Sequence, residues 1–279
     1  MISKQEIGSN TAKGGFANEK KICEKFNNWK TDSESQEWLK IMGYIPAKLD
    51  EVIAIQIPIR IKKEDSYIYG ISKDEYAEFT RFKKADAQIR IVIKVGKILK
   101  IENLTLKKAN KEANFNQIDK RSIDDYQKMW NFDDEISMWL KLFTGEIKPS
   151  TKKNLIGGIQ LREERRIYID EMPQNIQTKI LDFFNKSKIL VVSDVLKGKG
   201  GLSANWFLVT QYDKNENTTS WFLCDINEAM NFFGNGGVVV SPRGSFYIVR
   251  ITVMRKGGTP DPTKIQFKIH PCDIFQLKQ

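Results

Sequence analysis

Hydrolysing a phosphodiester takes a divalent metal, a positioned water and neutralisation of charge on the phosphate. One recurrent solution sets an aspartate on one strand, then an acid and a lysine two residues apart on the neighbouring strand. Side chains alternate along a strand, so a spacing of two puts both on one face. In this chain Asp86 opens one strand-like run and Lys107 closes the next, and Thr105 stands two residues before the lysine, where an acid is expected. Asp86 and Thr105 are therefore the candidate metal ligands, and Lys107 the candidate to orient or activate water. Asn103 shares their face; Glu102 points the other way and substitutes for the acid only if a bulge intervenes. Taken alone the spacing is weak, because a solvated hairpin face accounts for the same three residues. Glu19 is a further carboxylate of interest. It falls on the apolar stripe of a helix, where it needs a partner, a metal or water; pairing with Lys13 or Lys20 at the stripe's edge is the plainer explanation.

These residues need elements to position them. Phe16, Cys23 and Phe26 recur at helical spacing and predict a helix from Thr11 or Gly14 to about Trp29. "SESQEWLKIMG" predicts a second, closed by Gly43. "EVIAIQIPIRI" alternates, with Ile53, Ile55, Ile57 and Ile59 expected on one half-buried face and Pro58 marking an edge or bulge. "SYIYGISKDEYAEFTRF" reads as a short strand and a polar excursion. "AQIRIVIKV" and "ILKIENLTLK" form an antiparallel hairpin around Gly96-Lys97. Helices are expected over "NQIDKRSIDDYQKMW" and "DDEISMWLKLF", and residues 145–165 read as a linker or exposed excursion. Beyond them "PQNIQTKILDFFNKS" and "INEAMNFFGNGG" are helical, while "KILVVSDVL", "NWFLVTQYD", "TTSWFLCDI", "GVVVSP", "SFYIVRITVMRK" and "TKIQFKI" read as strands. The expected fold class is α/β or α+β with mixed sheets.

Composition narrows the partners. The 279 residues suit one large domain or two modest ones. Lysine and arginine number 45 against 35 aspartate and glutamate, a net charge of +10 that favours a polyanionic partner; a solvated lysine-rich surface is the alternative. The three widely spaced cysteines make neither a zinc pattern nor a disulfide framework. With no apolar leader or spanning run, a reducing cytoplasm is expected. His270 is the single histidine, which argues against histidine-based triads and zinc sites.

Several polar stretches suit nucleic acid. "NFNQIDKR" sets Asn114, Asn116 and Gln117 beside basic residues, and amides and cations are the groups that read adenine and guanine edges; a helix cap with solvated neighbours is the alternative. "LKGKGG", "SPRGS" with Arg243, and "RKGG" with Arg255 and Lys256 place cations beside glycines, as loops holding a phosphate backbone do, although a plain turn explains the first equally well.

Taken together, "GSNTAKGGFANEKKICEKFNNWK", "NFNQIDKRSIDDYQKMWNFDD", "SDVLKGKG", "SPRGS", "RKGG" and "QFKI" resemble, in order and spacing, type II restriction endonucleases of the HinP type, which cut GCGC. The resemblance implies a restriction-endonuclease-like mixed sheet flanked by helices, of the PD-(D/E)xK superfamily, with a second β-rich DNA-recognition part. It divides the chain into a catalytic core over 1–145 and a recognition region over 160–279. It implies Mg²⁺, with Mn²⁺ as a substitute, a duplex DNA substrate, a cognate cytosine methyltransferase and action as a monomer. The family's S-D and Q-x-K patterns fall on Ala85-Asp86 and Thr105-x-Lys107, and its helix glutamate on Glu19. So the place held by Thr105 is not acidic in this family either. The base-reading loops match Asn116, Gln117 and Lys120, then Gln266 and Lys268. Phe115 matches a phenylalanine that wedges into the DNA stack; read without the resemblance, it is a hydrophobic staple against Ile118 or Ile123.

Overall fold

The computed structural model describes residues 4–93, 98–110, 115–257 and 263–278. In chain order the helices and strands are α1 (Lys4–Asn27), α2 (Ser33–Ile41), β1 (Leu49–Gln56), α3 (Tyr76–Arg81), β2 (Ala87–Ile93), β3 (Ile98–Asn110), β4 (Asn116–Arg121), α4 (Ile123–Trp130), α5 (Asp134–Thr144), α6 (Lys153–Ile156), α7 (Gln174–Lys186), α8 (Lys188–Val192), β5 (Trp206–Asp213), β6 (Thr218–Asp225), α9 (Ile226–Gly234), β7 (Val238–Val240), β8 (Phe246–Ile248), β9 (Ile251–Arg255) and β10 (Ile265–Ile269). Two compact units result. None of the described helices is long and apolar enough to cross a membrane.

The first unit, residues 1–114, 196–230 and 271–279, holds a mixed sheet in the order β1-β2-β3-β5-β6. The β2–β3 hairpin forms as an antiparallel pair, from Ala87 opposite Leu104 to Ile93 opposite Ile98, a register two residues away from the one a two-residue Gly96-Lys97 turn sets; residues 94–97 lie outside the described residues. β5 joins β3 in parallel, Thr105 facing Phe207 and Lys107 facing Val209. One sheet face buries Ala54, Leu104, Leu106 and Leu208 under Ile22, Cys23 and Phe26 of α1 and Trp38 and Leu39 of α2. Asp32 caps α2, and Gly43, at φ +86°, follows its end. β1 lies at the edge, as Pro58 implied, but its isoleucine face is not the buried one: Val52 and Ala54 are buried while Ile53 is 40% exposed. Only Ile57 and Ile61 reach an apolar cluster, a separate one with Ile71, Ala85 and Leu202. That cluster also corrects the short strand and polar excursion expected over residues 66–82. A 3-10 turn (Lys63–Tyr69) and α3 form there instead, because Tyr69, Tyr76 and Phe79 fold over the cluster as a cap.

The second unit, residues 115–195 and 231–270, holds an antiparallel sheet in the order β4-β10-β9-β8-β7. Its core stacks Tyr126 on Trp130 at 4.5 Å, with Phe267 edge-on to both at 5.3 and 5.7 Å. Three expectations are corrected here. Residues 116–121 are a strand rather than the first turn of a helix; Ser122 accepts from the Asp125 N–H and starts α4 only afterwards, while 116–121 pair with β10. Residues 188–197 are helical rather than extended: the turn of α7 carries on, the Val191 N–H donating to the Ser187 carbonyl, and Val191, Val192 and Val195 are buried at helical spacing. "SFYIVRITVMRK" is two strands, because the chain reverses at Val249-Arg250. Val249 takes φ +54°, costly for a β-branched residue, and the reversal is held by the Arg250 N–H on the Phe233 carbonyl and the Arg250 guanidinium over the Phe232 ring.

The units also interleave, where the sequence suggests one following the other at 145–160. α4 and α5 belong to the second unit, and β5 and β6 return to the first, because β5 is the parallel partner that completes the sheet beside β3.

Candidate active site

Asp86 stands at the head of β2 with its peptide pinned on both sides. Its N–H donates to the Leu104 carbonyl at 2.8 Å, and its carbonyl accepts from the Ile57 N–H at 3.0 Å. That ladder leaves the side chain one place to go. Oδ2 accepts from the Leu106 N–H at 2.7 Å, from Thr105 Oγ1 at 3.1 Å and from Lys107 Nζ at 3.5 Å. Lys107 Nζ lies 3.2 Å from Thr105 Oγ1 and donates to the Leu106 carbonyl at 3.0 Å. The three residues expected to meet across the hairpin do meet, and Thr105 is only 3% exposed. Glu102 is excluded from this group. Its carboxylate accepts from the Tyr44 hydroxyl and, at 2.9 Å, from the Trp206 indole, both packed against the core under α1 and α2. Asn103 donates to the carbonyls of Gly201 and Ser203, fixing the loop that leads into β5 rather than the site.

Glu19 enters the same electrostatic neighbourhood. Burial pushes its carboxyl up, the Gln56 hydrogen bond pulls it down, the Asp86 charge raises it again, and Lys107 and Lys83 lower it. Gln56 Nε2 donates to Glu19 Oε2 at 2.9 Å. Lys83 is held by the Pro58 carbonyl at 2.6 Å, and burial drives its ammonium below the usual range against the pull of Asp86 and Glu19. Sequence reasoning missed Gln56 and Lys83. The alternation of β1 was a usable signal for Gln56, which lies two residues beyond Ala54 on the face opposite the isoleucines. Nothing local marked Lys83.

The donor set suits a hard cation. One carboxylate and one hydroxyl at Asp86 and Thr105, with a second carboxylate close enough to be raised by the first, match the oxygen ligands of Mg²⁺. That ion takes one or two carboxylates and completes its shell with water and substrate phosphate. No group of three or more His, Cys, Asp or Glu assembles for a metal among the described residues.

In the second unit, β4 and β10 bring two distant polar segments side by side. Lys120 faces Gln266, Gln117 faces Lys268 and Asn116 faces Ile269, with a bulge between Phe267 and Lys268. Burial, then Lys256 and Lys264, lowers the Lys120 ammonium; burial, then Lys256, lowers that of Lys268. Phe115 is 45% exposed, its ring centroid 3.8 Å from that of His270. Arg243 is exposed at a turn closed by Gly244 N–H to Ser241 carbonyl at 2.9 Å; a Cβ on Gly244 would meet Asp170 and Tyr168. Gln266 is turned inward, 4% exposed, with its amide on the Arg255 carbonyl. Arg255 lies 3.4 Å from Glu163 Oε1, and Lys256 Nζ donates to the Gly257 carbonyl. Asn114 and the end of "RKGG" at Gly258 lie outside the described residues. The glycines of "LKGKGG" answer to packing: a Cβ on Gly200 would strike the Phe79 ring at 2.2 Å.

The model of the R.HinP1I restriction endonuclease family matches residues 76–275 of the 279. The chain belongs to that family. It is a type II restriction endonuclease, a site-specific nuclease. The matched span takes in Asp86, Thr105, Lys107, β4 and β10, and it leaves out α1 and β1, which carry Glu19 and Gln56. No curated protein matches the chain. Among solved structures, the endonuclease fold is similar to that of restriction endonuclease MspI in complex with its cognate DNA, with a TM-score of 0.60 over 96% of this chain and 93% of that one, at 12% identity.

Proposed function

We propose that this endonuclease hydrolyses both strands of unmodified duplex DNA at GCGC, using Mg²⁺ with Mn²⁺ as a substitute. Its proposed setting is the cytoplasm, in a restriction-modification pair with a cytosine methyltransferase. The observation that carries the catalytic part is the convergence of Thr105, Leu106 N–H and Lys107 on one oxygen of Asp86. Asp86 and the Thr105 hydroxyl hold the metal, which supplies charge neutralisation at the phosphate and activation of water. Lys107 orients the water and offsets charge on the phosphate. Glu19 assists from α1. A threonine serves where the superfamily has an acid because a neutral oxygen suffices once Asp86 supplies the charge.

Recognition is assigned to the second unit. Asn116, Gln117, Lys120 and Lys268 read base edges from paired strands, and Gln266 joins them only by breaking its hydrogen bond to Arg255. Arg243, Arg255 and Lys256 hold phosphates. Phe115 enters the base stack from the minor groove and kinks the duplex, a wedge costing a few kcal/mol per step, offset by the contacts that bent DNA permits. MspI carries cognate DNA on a similar fold, which supports a duplex substrate here. The enzyme acts as a monomer, nicking the two strands in sequence.

Plasmid cleavage in Mg²⁺ and in Mn²⁺ tests the reading. Scission in both is the expected result. Tight duplex binding without scission in either ion would instead favour a DNA-binding protein that Thr105 has disarmed.

A further inference from the structure

α1 is tied to the open edge of β1 at two points. Asn27 makes a paired contact with the Ala54 peptide, its Oδ1 accepting from the Ala54 N–H at 2.7 Å and its Nδ2 donating to the Ala54 carbonyl at 3.2 Å. An edge strand's unpaired peptide is thereby satisfied, and the register of helix on strand is fixed. Eight residues back, about 12 Å along a helix, Gln56 makes the second tie. Its Nε2 donates to Glu19 Oε2 at 2.9 Å and to the Phe16 carbonyl at 3.3 Å. Both amide hydrogens of Gln56 are spent on α1, one on the backbone and one on the carboxylate. The amide therefore locates Glu19 relative to the helix rather than merely touching it. Two residues further along the chain, the Pro58 carbonyl holds Lys83.

We propose that Gln56 is a positioning residue for DNA cleavage, acting through Glu19. The proposal rests on the reading of Glu19 as part of the active site. A carboxylate on a half-buried helix face has several rotamers, and the hydrogen bond selects one. A neutral amide does this without adding a charge to a neighbourhood that already holds Asp86, Lys107 and Lys83, as a lysine or arginine at position 56 would. The brace comes from β1, which lies outside the residues that the family model matches.

Gln56→Met keeps the length of the side chain and removes both donors; Gln56→Ala removes the side chain and serves as the second variant. Single-turnover cleavage of a GCGC duplex is measured across a Mg²⁺ titration, with melting temperature alongside. The expected result for both variants is a rate lower by about 10–100-fold, the range for residues that orient a ligand or catalytic group, with a higher Mg²⁺ half-saturation and an unchanged melting temperature. Glu19→Ala combined with Gln56→Met should be no slower than Glu19→Ala alone, because the amide then has nothing to position. Wild-type rates in both Gln56 variants while Glu19→Ala is slow would overturn the proposal and leave the Glu19 reading standing. Losses that multiply in the double variant would overturn it too. A wild-type rate in Glu19→Ala would overturn both.

Discussion

The polar groups of the two units are arranged on opposite principles. Around Asp86 the charges balance: Asp86 and Glu19 stand with Lys107 and Lys83, and every one of the four has a named hydrogen-bond partner. On β4 and β10 the charges that act on Lys120 and Lys268 are other lysines, Lys256 and Lys264. The first arrangement is set before a substrate arrives, which electrostatic catalysis requires. The second holds like charges together at a cost that a polyanion removes on binding. On the proposed function the first region reacts and the second attracts, and the lesson is that charge balance separates the two proposed roles where sheet geometry does not.

Breaking the balanced region should have the larger effect. Asp86→Ala removes the oxygen on which three donors converge. The expected loss of cleavage is several kcal/mol of stabilisation, about three orders of magnitude in rate, with metal-free DNA affinity kept. Gel shift beside cleavage kinetics checks this, and full activity would remove Asp86 from the site. Thr105→Val retains the shape and deletes the hydroxyl, and activity should fall by about 10–100-fold. An unchanged rate would show that position 105 is not a ligand. Thr105→Glu sharpens the point, because a carboxylate there should tighten Mg²⁺ binding.

The repulsive region should respond more gently and in a different currency. Lys268→Ala should cost ~1–3 kcal/mol of discrimination if Lys268 reads guanine, whereas loss of a phosphate contact would weaken all sequences alike and flatten the salt dependence. Affinity for specific and random duplexes at two salt concentrations separates the outcomes. Phe115→Ala should reduce bending and specific affinity with no change in melting temperature, since the ring is half-exposed. A fluorescent base analogue at the central step reports the wedge directly; a lower melting temperature with unchanged bending would make the ring a structural staple.

The hairpin and its three chemical residues were legible because strand alternation is a local property and "AQIRIVIKV" obeys it without interruption. The helix carrying Glu19 was legible for the same reason, although it begins earlier, at Lys4. Residues 116–121 misled because Asn-Gln-Ile-Asp-Lys-Arg has little intrinsic strand preference; it is extended only because Ile265–Ile269, far along the chain, lies beside it. Residues 188–197 misled the other way, a run of Ile, Leu and Val suited to a strand that tertiary packing keeps helical. The tie from Gln56 to Glu19 was invisible, since it depends on how a helix seats against a strand edge 37 residues away. The charge contrast between the units was hidden too: a net charge of +10 gives the sum and not the placement.

The most direct test of the central claim is to digest a long unmethylated DNA in Mg²⁺ and sequence every new end, beside the same DNA with its GCGC cytosines methylated. The account predicts ends on both strands at GCGC throughout the unmethylated DNA and none at those sites after methylation, since the methyl group projects into the major groove where the amides and lysines of β4 and β10 read the bases. Ends scattered without regard to sequence, or cutting at GCGC that ignores the methyl group, would contradict it.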